Sequence, residues 1–206
     1  EWPEDKIDEE INRHYTGFYL GLNCETQSVF ATLGRKRGNE EITSKIEKDA
    51  SRDATRACFL MEDHPGLFAR LAGAIALAGA NVIDARTYTT ADGYATAVFW
   101  LQSKTSTPFE ESRLNHLNQT IRNALKGEII PRDALKERGK IRKKEKDFKV
   151  PTNITFDNEG SEIYTIIEID TRDRLGLLHD LARTLTNNYI TIASAIIATY
   201  RELLLS

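Results

Sequence analysis

One spacing constrains this chain more than any other feature. Asp63 and Asp173 stand 110 positions apart. At that same offset Gly66 falls on Gly176, Leu67 on Leu177, Leu71 on Leu181, Ala72 on Ala182, Ala85 on Ala195 and Thr89 on Thr199, without a gap. The matches fall on turn, helix-face and strand positions together, which duplication produces and coincidence does not. The chain therefore has to fold as two related units, and each unit must build the same corner around its Asp and Gly.

Residues 55–62 (TRACFLME) read as a strand that ends in acids. The turn HPG follows, with Pro65 presetting φ and Gly66 open to an unusual backbone angle. Leu67, Leu71, Ala74, Ile75 and Ala78 recur at helical spacing, which predicts a helix over 66–78 closed by Gly79. A strand over 81–90, a hairpin turn at 91–93 and an aromatic-rich strand over 94–102 come next. Leu114, Leu117, Ile121 and Leu125 share one face of a second helix over 109–127. Residues 131–147 read as a basic, helix-prone connector, and 148–158 as the last strand of the unit, with Pro151 marking an edge or a bulge. The order β-α-β-β-α-β is that of an α+β, ferredoxin-like fold. The plan then restarts with a strand over 162–170, a helix carrying Leu177, Leu178, Leu181 and Leu185, and a strand over 190–200. RELLLS (201–206) reads as a short partner strand, so the second unit is incomplete. Residues 14–33 read as a short helix or strand within an irregular 1–50, and 34–53 as a charged linker or exposed hairpin.

Composition excludes several classes. The chain has 206 residues, a hydrophobic share of 40% and a net charge of −3, values of an ordinary globular protein rather than of a general nucleic-acid binder. The basic stretch KERGKIRKKEK (136–146) interleaves acids and offers only Ile141 as an apolar anchor, so a solvated connector is the expectation. No apolar run is long enough to span a bilayer, and the acidic start EWPEDKIDEE has no signal core, which points to a cytoplasmic setting. The chain opens without Met and reads as a piece of a longer one. Cys24 and Cys58 lack metal or redox spacing, and His14, His64, His116 and His179 are scattered. No nucleophile–base pair or phosphate-cradling loop is present, so no catalytic residue is assigned.

The repeated corner carries the chemistry. A strand that turns tightly into a helix presents backbone N–H groups at the helix N-terminus, and these favour a carboxylate. Gly66 and Gly176 have no Cβ to block approach. Asp63 and Asp173 either accept from an α-amino group or simply cap the helix. Donors beside an acid suit a free amino acid.

The phrases EDHPGLFARLAGAIALAGANVIDARTYTTADG and TRDRLGLLHDLARTLTNNYITIASAIIATY resemble ACT domains, the small βαββαβ modules that sense amino acids. HYTGFYLGL, NALKGEIIPRDAL, FKVPTNITFDNEGSEIYTIIEI and IASAIIATY, in that order, resemble the C-terminal tandem ACT region of the bifunctional PII uridylyltransferase/uridylyl-removing enzyme family. The resemblance implies residues 1–53 as a segment and linker after an absent HD domain, 54–158 as a first ACT domain with the connector 127–147 before its last strand, and 159–206 as a partial second one. It implies a nitrogen sensor that transfers UMP from UTP to the PII signalling protein and removes it again, with Mg2+ serving catalytic domains outside this stretch. Glutamine is the implied effector. Its carboxylate is expected near Gly66, Leu67 and Phe68 or Gly176, Leu177 and Leu178, its amino group near Asp63 or Asp173, with His64 beside the first turn. Asn81, Val82 and Ile83, or Ile190 and Ile192, are expected against the rest of it. ACT-mediated pairing, within a chain or in a dimer, goes with this reading. Two departures stand out: Leu175 replaces the family's Pro ahead of Gly176, and RELLLS replaces a glycine and a further strand.

Two other readings remain open at this point. One is a structural or protein-interaction module whose corners are ordinary turns. The other is the regulatory ACT region of a different amino-acid-controlled enzyme.

Overall fold

The computed structural model describes residues 2–38, 40–127, 135 and 151–198. Three helices come first, α1 (Glu4–Arg13), α2 (Thr16–Gly21) and α3 (Cys24–Lys36). Then follow β1 (Ile42–Asp49), a 3-10 turn at Ala50–Arg52, β2 (Ala54–Glu62), α4 (Leu67–Leu77), β3 (Asn81–Thr89), β4 (Tyr94–Gln102) and α5 (Glu111–Leu125). Beyond them lie β5 (Asn153–Asp157), β6 (Ile166–Asp170), α6 (Leu177–Asn187) and β7 (Ser194–Ile196).

Five strands form one antiparallel sheet in the order β1-β2-β4-β3-β7, and β5 and β6 form a separate antiparallel pair. The sheet is covered on both sides. Ala57, Phe59 and Met61 of β2 and Ala95, Ala97, Phe99 and Leu101 of β4 pack with α4 and α5. The alternate residues Ala54, Cys58, Leu60, Val98 and Trp100 pack with Phe18, Val29, Phe30 and Leu33 of the N-terminal helices. Successive side chains of a strand point to opposite faces. Two apolar faces therefore require the nearly continuous apolar runs that β2 and β4 carry.

Three expectations change. Residues 1–50 are not irregular: α1 to α3 form the layer that closes the outer face of the sheet. Residues 42–49 are no linker. Ile42↔Met61 through Asp49↔Ala54 pair β1 with β2 along its whole length. Lys45, Glu47 and Lys48 hid this strand because it is a sheet edge, where charge is tolerated and useful. The strand expected over 148–158 as the last of the first unit is instead β5, and it pairs with β6. Within the 110-residue offset β5 is the counterpart of β1, so the edge strand precedes each unit rather than ending it. Residues 128–134, 136–150 and 199–206, which carry the basic connector and the expected terminal partner strand, lie outside the described residues.

A buried ion network locks the N-terminal layer to the sheet. The Arg56 guanidinium is fully buried and donates to Glu25 Oε1 (2.7 Å), Glu47 Oε1 (2.8 Å) and Thr26 Oγ1 (3.0 Å). Burial opposes its charge, but those two carboxylates hold its pKa above the ordinary arginine value. Trp100 Nε1 donates to Asp49 Oδ2 at 2.9 Å on the same side.

Candidate functional site

Both corners fold alike. Gly66 (φ 86°, ψ 1°) and Gly176 (φ 77°, ψ 9°) are the residues before α4 and α6, each in the left-handed region that glycine enters without steric cost. Neither helix has a side-chain cap, so Asp63 and Asp173 do not serve in that role. Asp63 instead accepts from Thr89 Oγ1 at 2.5 Å, and its N–H donates to the Gly93 carbonyl, which ties the end of β2 to the β3–β4 hairpin. Asp173 is exposed.

At α4 the Leu67 N–H turns back to the His64 carbonyl at 3.1 Å, and the Arg70 N–H to the Gly66 carbonyl at 3.0 Å. Between them the N–H groups of Phe68 and Ala69 have no acceptor among the described residues. Arg70 Nη1 donates to His64 Nε2 at 2.9 Å, which leaves the imidazole proton on Nδ1, facing the Pro65 carbonyl at 3.0 Å. The α4 corner thus offers two open donors with a cation close by.

The two corners lie on neighbouring helices. His179, buried, donates from Nδ1 to the Ala69 carbonyl at 2.8 Å, and these residues occupy equivalent positions of the repeat. A Cβ placed on Gly66 would meet the Thr186 Cγ2 of α6 at 3.4 Å. The first corner therefore sits at the junction of the two units.

The other expected contacts are distributed unevenly. The Leu67 and Phe68 side chains are buried in the α4–α5 core, with Val82, Leu178 and Ile192 packed against it. Leu177 is half-buried at the start of α6. Asn81 is exposed and donates to the Ser103 carbonyl at 3.4 Å. Ile83 lies at a bulge, where the register shifts between Val82 and Asp84, and its side chain packs on the N-terminal-helix face, away from both corners. Its carbonyl accepts from Ile197 N–H. Ile190 is exposed, and the Ile192 carbonyl accepts from Thr87 Oγ1 at 2.8 Å. Arg70 and Thr186 were not anticipated. The opposite charges at the equivalent positions Arg70 and Asp180 were the sequence signal for the first.

No cluster of three or more His, Cys, Asp or Glu suited to a metal occurs among the described residues. No helix among them is long and apolar enough to cross a membrane. A groove of about 370 Å³ between α1, α2 and α3 is lined by Ile7, His14, Phe18, Tyr19 and Ala31 and includes no residue of either corner.

Residues 58–103, which run from within β2 through α4 and β3 to the end of β4, match the family model of the ACT domain. Over nearly its whole length the chain is similar to the ACT-containing region of bifunctional uridylyltransferase/uridylyl-removing enzymes. It is 55% identical over 206 residues to the one from Ruegeria pomeroyi, covering 98% of this chain and 23% of that protein. It is 58% identical over 200 residues to the one from Cereibacter sphaeroides (97% and 22%), and 34% identical over 203 residues to that of Gluconobacter oxydans (96% and 21%). The chain spans less than a quarter of the length of these curated relatives. No solved structure matches.

Proposed function

We propose that this chain is a glutamine-sensing regulatory region built from tandem ACT units. It would belong to an enzyme that uridylylates and deuridylylates the PII signalling protein in the cytoplasm. The chemistry with UTP and Mg2+ belongs, on this reading, to other regions of that longer enzyme. The observation that carries the sensor role is the α4 corner. Two unpaired N–H groups at a helix N-terminus favour a carboxylate, and the missing Cβ of Gly66 admits it. An α-amino group reaches Asp63 at the end of the preceding strand.

The position of that corner suggests how binding is felt. Gly66 faces Thr186 of the second unit, so a ligand there touches both helices and favours one packing of α4 on α6. Coupling of this kind is worth about 1–3 kcal/mol in typical allosteric proteins. Titration calorimetry of the chain with L-glutamine, against L-glutamate and other amino acids, tests the reading. Saturable heat for glutamine that Gly66→Trp abolishes, with folding kept, supports it. No heat from any amino acid removes it and leaves a structural module.

A further inference from the structure

The two corners share a backbone conformation but not an environment. A Cβ built on Gly176 would lie 3.0 Å from Leu135 Cδ1 and 3.6 Å from both its Cβ and its Cγ. At Gly66 the nearest atom is a single methyl of Thr186 at 3.4 Å. Leu135 is itself buried and belongs to the same core as α4 and α5, so its side chain is held there by packing. Gly176 is buried in consequence, while Gly66 stays half-open.

Charge separates the corners in the same sense. The first turn of α4 holds no acid and carries Arg70, whose Nη1 lies 2.9 Å from His64 Nε2. At the equivalent place in α6 stands Asp180, bridged to Arg174 at 2.7 Å. An acid in the first turn already complements the positive end of a helix, and it repels a second carboxylate. One corner is thus filled by an apolar side chain and supplied with its own anion, and the other lacks both.

We propose that Leu135 is the resident occupant of the Gly176 corner, and that the chain consequently takes one amino acid, at the Gly66 corner. The ligand half of this statement rests on the amino-acid-binding reading above; the occupancy by Leu135 does not. The duplicated corner has become a packing site in one copy and a receiving site in the other. Leu135 and Asp180 together close the second corner to a carboxylate, so removing Leu135 alone leaves the acid to keep it shut.

Two measurements test it. In a Cys24→Ser/Cys58→Ala background, Leu135→Cys is labelled with a small thiol reagent in the native chain and in urea. Labelling at least tenfold slower in the native chain supports a filled corner, and labelling as fast as in urea overturns it, whatever any ligand does. In calorimetry with L-glutamine, one equivalent per chain that is lost in Gly66→Ala and kept in Leu135→Ala supports the assignment. Two equivalents in the parent chain, or one that survives Gly66→Ala, overturns it. Absence of heat together with slow labelling fails the amino-acid reading and the one-ligand count while leaving Leu135 in place.

Discussion

Ala85 and Ala195, 110 positions apart in the sequence, face one another across the antiparallel β3–β7 pair. Their neighbours pair reciprocally, Asp84 opposite Ile196, which lies 110 positions after Arg86, and Arg86 opposite Ser194, which lies 110 positions after Asp84. A residue paired with its own counterpart marks a local two-fold axis. The Ala69–His179 contact places the same axis between the helices above. The β3–β7 pairing and the α4–α6 contact thus share one local symmetry. Thr87 reinforces the seam, its N–H donating to the Ala193 carbonyl and its hydroxyl to that of Ile192.

Gly66→Ala should weaken ligand binding at least tenfold and lower stability by about 1–2 kcal/mol, the usual cost of a side chain in the left-handed region. Calorimetry and urea denaturation read the two effects separately. Unchanged stability would mean that the corner relaxes to an ordinary φ.

Tyr189→Gly should stabilise the chain by about 0.5–1 kcal/mol. Both helices end in the same motif. Gly79 N–H bonds to the Ala76 carbonyl and Ala80 N–H to that of Ile75, while Tyr189 N–H bonds to Thr186 and Ile190 N–H to Leu185. Gly79 (φ 78°) accepts this backbone freely, whereas Tyr189 (φ 60°) is strained and 98% exposed, so its ring has little packing to lose. A rise in the urea midpoint at constant slope is the expected result.

Arg56→Ala should cost about 2–3 kcal/mol, below the 3–5 kcal/mol range for broken buried ion pairs. The reason is that Glu25, once abandoned, is 66% exposed and returns to water, while Glu47 is partly enclosed. Arg56→Lys should recover only part of the loss, since one ammonium cannot match the guanidinium fork.

Acid should loosen the outer layer first. Burial pushes the Glu47 carboxyl up, but hydrogen bonds from Lys45 and Arg56 outweigh it and hold its pKa below the ordinary range. Burial likewise opposes Asp49, and Ser51, Trp100 and Arg56 together bring it down. Carboxylates depressed in the folded state contribute stability that is complete above their unfolded values, near pH 4, and is lost as pH falls through the folded ones. Urea melts from pH 6 to pH 3, followed by tryptophan fluorescence, should show Glu47→Gln less stable at pH 6 and closer to the parent at pH 3.

Helix α4 and strands β3 and β4 were legible because their apolar spacing is strong and their turns carry glycine. The expected helix over 66–78 and the observed Leu67–Leu77 differ only at the ends. Strand β1 escaped because ITSKIEKD is half charged, although the 110-residue offset that exposed the corners also lays it on β5. The site was legible only in outline. Glycine positions announced the corners, but Leu135 and Thr186 reach them through tertiary packing that no local pattern records, and the bulge at Ile83 turned that side chain to the far face.

Helices α1 to α3 leave β2 and β4 with no wet side, and this sets how the molecule can respond. A strand enclosed on both faces is held by close packing on each side, which makes the sheet stiff. Between the β7 edge and Arg56 on β2 stand only β3 and β4, the second of them enclosed on both faces.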